Sequence, residues 1–303
     1  MTRQATAITV SVIVLVVGFA AEATIGWLLV GSGLAAAMAC AFASQSLTPG
    51  ARAPWQLIAL GQLLNGLGNM VIAFDAERWV DSPDWVSAVS FNLATIFTVL
   101  GIVGLALKPV ASQLVPAGMD LIAITGCALA LGVLWDIDEI LGDADGEVDS
   151  LIGLMGFLAV VVQFVGLAFA PIVWFAQAKG KRTANRLAVL ALVAATLGDT
   201  EMMIEFFDLS FVAVASMWQA SSLLLLIAAT FLGGATPPVR WVSSDVLGRV
   251  TLGFALAALA SLPFREIPSG DVGVVVVVLL AAVLVARLLV SAVRSDTEDR
   301  VDK

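Results

Sequence analysis

Apolar and polar positions divide the chain into ten long hydrophobic segments, at about 5–21, 25–46, 54–74, 85–107, 115–135, 150–176, 186–207, 211–233, 246–264 and 270–292. Most are close to the ~20 residues a helix needs to cross a hydrocarbon layer of about 30 Å. The expected fold is all-α, a polytopic membrane bundle of about ten helices. It forms one transmembrane domain over 1–294, with a short charged tail over 295–303. The first segment has a second reading, because Arg3, an apolar run and Ala21-Glu22-Ala23 also resemble a signal peptide with its cleavage site. Its apolar run is long for a signal sequence, which favours a retained helix. Either outcome leaves the other nine segments oriented alike.

The interruptions between segments alternate in charge. Glu22, the run Asp75 to Asp84, the acidic loop 135–149, the stretch 199–208 and Glu266 with Asp271 stand on one side. Arg52, Lys108, Lys179 to Arg186, Arg240 with Arg249, and Arg287 with Arg294 stand on the other. The first side takes 18 of the 24 acids and 2 of the 15 bases, which accounts for a net charge of −9. Lysine and arginine are retained on the cytoplasmic face, so the pattern places both termini in the cytoplasm and the chain in the cytoplasmic membrane. Trp55, Trp174 and Trp241 fall beside basic loops, and Trp27, Trp79, Trp85 and Trp135 beside acidic ones, as two interfacial belts require. Trp218 fits the belts least.

Composition narrows the chemistry. The chain is 303 residues long, 60% hydrophobic and 13% charged, with a mean hydropathy of +1.01, which leaves no room for a soluble domain in the loops. No basic stripe suggests nucleic acid. The absence of histidine excludes bis-histidine haem, histidine-ligated metals and Ser-His or Cys-His catalysis. All four lysines lie at interfaces or in the tail, so no retinal Schiff base forms inside the bundle. Cys40 and Cys127 read as buried small hydrophobes rather than as a disulfide or metal ligands. The acidic loop 135–149 has seven carboxylates but departs from an EF-hand, since its glycine is fourth from Asp143 rather than sixth. A solvated acidic cap accounts for it. No cofactor or metal is implied, and no catalytic motif occurs.

Two polar groups fall within the membrane frame. Asp199 lies about eight residues inside the outer end of the seventh segment, and Glu201, Glu205 and Asp208 follow on one helix face. That face is the candidate ion or ligand face, since intramembrane carboxylates are costly. A helix end dipping into a wet vestibule is the plainer explanation. Gln62, Asn65 and Asn69 share a face of the third segment beside Gly61, Gly66 and Gly68. Interhelical hydrogen bonding explains this stripe, with a polar path or pocket as the alternative. Asn92, Gln163 and Gln219 are single amides. Pro171 is expected to kink the sixth segment. A faint echo links 57–75 with 187–208, about 130 residues apart, though apolar helices produce such echoes readily.

The order of landmarks resembles a known family. Trp55, Gly68-Asn69, Asp84, Asp120, Trp135, Asp199, Trp218 and Pro237-Pro238 are placed as in the multi-pass N-terminal region that precedes GGDEF and EAL domains in actinobacterial cyclic-di-GMP signalling proteins. The likeness covers roughly 54–240. Asn69 replaces the family's usual aspartate, and no GGDEF or EAL domain follows. The resemblance implies a sensor-like or interaction module without catalysis, whose output comes from a cytoplasmic signalling partner. The lipid bilayer is its other partner, and a homo-oligomer is compatible with it. A secondary transporter on the ten-helix plan of drug and metabolite exporters, driven by protons or sodium, is the second expectation. A lipid-directed enzyme is the third.

Overall fold

A computed structural model describes residues 3–20, 25–76, 84–106, 182–204 and 209–232, together with helical residues at 159, 161–167, 169–170 and 173–174. All belong to one of two compact units of the chain, made of Met1–Lys108 and Ala144–Trp241. The segments expected at 115–135, 246–264 and 270–292, the acidic loop, Cys127, Glu205 and Asp208 lie outside the described residues.

Among the described residues all regular structure is helical. The helices are α1 (Arg3–Ala20), α2 (Ile25–Ser44), α3 (Pro49–Ala76), α4 (Asp84–Ala106), α5 (Arg182–Ile204) and α6 (Phe211–Thr230). Residues 161–167 form a further helical segment between α4 and α5 in sequence. These correspond to the expected segments with shifts of a few residues at their ends. The largest shift is in α3, which starts at Pro49 rather than at 54. Thr48 accounts for it, because its carbonyl accepts from Ala51 and Arg52, both at 2.9 Å, and starts a helix turn there. Pro49 then occupies the first helical position, where a missing N–H costs nothing. Arg52 Nη2 donates to the carbonyls of Gln45 (3.0 Å) and Leu47 (3.3 Å), closing the turn from α2.

Contacts set the directions of the helices. Gly33 faces Gly66 and Gly26 faces Ala73, so α2 and α3 are antiparallel. Gly68 meets Phe91, Gly61 meets Ala94 and Thr98, and Gly101 meets Ile58 and Pro54, so α3 and α4 are antiparallel as well. Gly166 lies against Val99 and Leu192, which seats the 161–167 segment between α4 and α5. The contacts of Gly198 with Met217 and Trp218 pair α5 with α6. Ile25 and Leu29 pack with Ala215, and the Cys40 thiol points to the Leu225 carbonyl (3.7 Å), so α6 returns to α2 and runs parallel to it. The order α2, α3, α4, 161–167, α5, α6 therefore closes on itself.

Apolar side chains fill the interior and also cover much of the outside, while several polar ones are buried. Phe42 (70% exposed), Val16 (61%) and Met38 (57%) face outward, whereas Gln219 (0%), Gln163 (2%), Asn185 (2%) and Glu201 (4%) are inside. In water such an outward apolar surface is costly, and buried polar groups need partners. Ile25–Ser44, Pro49–Phe74, Val86–Leu105 and Phe211–Thr230 are each long and apolar enough to cross a membrane. These are the features of a helical membrane protein. Two tryptophans pack against the helices rather than outward. Trp55 is wholly buried, and Trp218 is half-buried inside the ring.

Lipid tails are as apolar as leucine, so helices in a membrane associate through packing and close backbone approach. A Cβ on Gly61 would lie 2.7 Å from the Ala94 carbonyl, and one on Gly101 would lie 2.6 Å from the Pro54 carbonyl. Both obstacles are backbone and cannot swing aside. Gly61→Leu and Gly101→Leu should each destabilise the purified chain by about 1–3 kcal/mol or more. Tryptophan-monitored unfolding in mixed detergent–SDS micelles measures this, with Gly31→Leu, where nothing lies near the added carbon, as the tolerated comparison.

Candidate functional site

The amide stripe of α3 meets its partner on α6. Ser222 Oγ donates to Gln62 Oε1 at 2.8 Å, and Asn65 Nδ2 reaches Ser222 Oγ at 3.5 Å. Asn69 Nδ2 turns back to the Asn65 carbonyl (2.9 Å) and Oδ1 (3.3 Å). Gln62, Asn69 and Ser222 are buried, so interhelical bonding accounts for much of the stripe. Gln219 lies three residues before Ser222, which places it on the same face of α6. It is fully buried, yet neither its Nε2 nor its Oε1 has a hydrogen-bond partner among the described residues.

Asp199 stands one helix pair away. Trp218 Nε1 donates to its Oδ1 at 2.6 Å, and Gln163 Nε2 donates to its Oδ2. Gly198 makes this geometry reachable, since a Cβ there would stand 2.7 Å from the indole nitrogen. The carboxylate is thus held by three elements: α5, α6 and the 161–167 segment. Both donors are neutral. Arg186, on the same helix, is 13 residues away, or about 20 Å along the axis, where it lies over the Trp174 ring at 5.1 Å. Gln163 is buried, and its Oε1 has no partner among the described residues.

The other acidic candidates divide. Glu201 is buried and its Oε1 accepts from the Leu209 amide at 2.9 Å, which ties the end of α5 to the chain entering α6. Ser210 then caps α6, accepting from Ala213 N at 3.4 Å. The contacts described for Asp199 and for Glu201 involve different residues. Glu205 and Asp208, which complete the expected face, lie outside the described residues.

The echo in the sequence has a counterpart in space. Leu67-Gly68-Asn69 on α3 and Leu197-Gly198-Asp199 on α5 are 130 residues apart, and in both a ring from the following helix lies over the glycine. That ring is Phe91 on α4 and Trp218 on α6, each followed by a buried amide, Asn92 and Gln219. The first set is neutral, and Asn69 and Asn92 bond within their own helices. The second carries the carboxylate, the indole donor and the unpartnered amide. Gln163, Trp218 and Gln219 had looked like isolated polar or aromatic residues. The repeated glycine–polar and aromatic–amide pairs, at nearly equal spacing, were the signal that joins Trp218 and Gln219 to Asp199, and nothing in the repeat marks Gln163.

A double-mutant cycle tests the Asp199–Trp218 contact. Trp218→Phe and Asp199→Asn should show a coupling of roughly 0.5–2 kcal/mol in the same unfolding assay, in the range for hydrogen bonds inside membranes. Coupling indistinguishable from zero would mean that the indole only fills space.

Comparison with protein-family models, with curated proteins and with solved structures finds no match for the chain. Its own geometry carries the functional argument.

Proposed function

We propose that the protein is a non-catalytic, sensor-like module of the cytoplasmic membrane that reads a small polar solute in the centre of its helical ring. Gln219 carries this reading, being fully buried with both polar atoms unpartnered. Leaving a buried donor or acceptor unmet costs about 1–3 kcal/mol. A leucine at this site would avoid that cost, so an amide suits a site completed by something the chain does not itself contain. The same helix contacts α1, α2 and α5 and reaches α3 through Ser222. A solute bound at Gln219 would thus bias the packing of α6 against four neighbours. Such a bias is the differential interaction that a two-state signal needs. The landmark order shared with cyclic-di-GMP signalling proteins points to a cytoplasmic partner as the receiver.

One observation favours transport instead. Asp199 is a carboxylate whose described partners are both neutral N–H donors, an arrangement that suits a coupling ion. The two readings separate experimentally. Affinity capture of the full chain from mild detergent should bring down a cytoplasmic signalling protein, and deletion of the chain should shift cellular cyclic-di-GMP. Failure of both sinks the sensor reading. Solute flux into proteoliposomes that disappears in Asp199→Asn and Glu201→Gln would establish transport in its place.

A further inference from the structure

We infer that Asp199 and Gln163 form a binding site for a small monovalent cation that takes oxygen ligands. This goes beyond the solute reading at Gln219, bears on the transport alternative given above, and needs no signalling partner. The carboxylate receives one N–H on each oxygen, from Trp218 and Gln163, a pattern that suits its ionised form. Each oxygen keeps a second lone pair. The amide that donates to Oδ2 also carries a buried carbonyl oxygen, Gln163 Oε1, with no partner among the described residues. These are hard oxygen donors beside a full negative charge, with no basic side chain among the partners of Asp199.

Charge selects the valence. A single carboxylate in a low-dielectric interior is neutralised by one positive charge, whereas a divalent ion would leave a buried surplus. The equivalent position in the α3–α4 pair shows the neutral form of the same arrangement. There Asn69 satisfies itself on Asn65, and Phe91 offers no donor. The α5–α6 pair differs by gaining a charge, a donor that orients it and a spare carbonyl oxygen. These are the parts a cation site needs. The closely packed indole over Gly198 favours a small ion such as sodium or a primary ammonium over a bulky quaternary one.

The test is equilibrium binding of radiolabelled sodium to the purified full chain in detergent, with choline chloride keeping the ionic strength constant. Saturable binding of about one ion per chain is expected. Displacement by potassium and by methylammonium shows which cation is preferred. Binding should be lost in Asp199→Asn, fall at least tenfold in Gln163→Leu, and be unchanged in Ser90→Ala, whose hydroxyl bonds within α4. If Asp199→Asn does not fold, Gln163→Leu still decides, since it keeps the carboxylate and removes the carbonyl oxygen. Binding of none of the three cations overturns the site, as does full binding in either Asp199→Asn or Gln163→Leu. A chain that binds the cation but captures no partner keeps the site and loses the sensor reading. A chain that captures a partner but binds no cation does the opposite.

Discussion

Close backbone approach at glycine is the constraint on which the described ring of helices depends. With lipid outside, burying apolar side chains gives the helices little reason to associate, and dispersion and hydrogen bonds must supply it. Both act over short distances. Gly33 against Gly66 brings α2 onto α3, and Gly61 with Gly101 brings α3 onto α4. Gly198 lets the Trp218 ring close over α5. Each replaces a side chain that would hold two backbones apart. The amide and hydroxyl contacts of Gln62, Asn65 and Ser222 are then within reach and hold α3 to α6.

That closeness also explains how polar groups survive inside. Asn69, Asn92 and Thr196 donate to carbonyls one turn back on their own helices, so their burial needs no distant partner. Gln62 and Ser222 satisfy one another across helices. Gln219 and the Gln163 carbonyl oxygen do neither, and both belong to the half of the ring that carries Asp199. The polar interior is thus uneven. The amides of α3 and α4 are satisfied within their own helices or by Ser222, and the related set has a charge and unused hydrogen-bonding capacity.

The relation between the two sets sharpens what the amide stripe and the carboxylate mean. Leu-Gly-Asn with Phe-Asn, and Leu-Gly-Asp with Trp-Gln, recur at spacings of 130 and 127 residues and make the same glycine–ring contact. Unrelated apolar helices can share letters by chance, but sharing a specific contact between successive helices is harder. The second set reads as a charged variant of a neutral packing unit. Polar side chains were fitted onto a contact that glycine and an aromatic ring already secured.

Much of the fold was legible in the sequence. Helix existence follows from apolar length, which is local, and α1, α2, α4 and α6 begin or end within a few residues of where that length places them. The start of α3 was missed, because Thr48 and Pro49 initiate helix through backbone geometry that apolarity does not register. The alternation of charge predicts that successive segments run in opposite directions, and the glycine contacts of α2, α3 and α4 do so. The candidate site was legible only in part. Asp199 stood out by its depth in an apolar segment, and Gln62, Asn65 and Asn69 by their shared face. Their partners did not, since Gln163, Trp218 and Ser222 lie tens to over a hundred residues away and have no local periodicity to mark them. Sequence by itself determined the described helices and their order, because transfer into lipid depends on each segment's own composition. Only the tertiary structure decided which polar groups are satisfied and which are left open, because that depends on what another helix presents within about 3 Å.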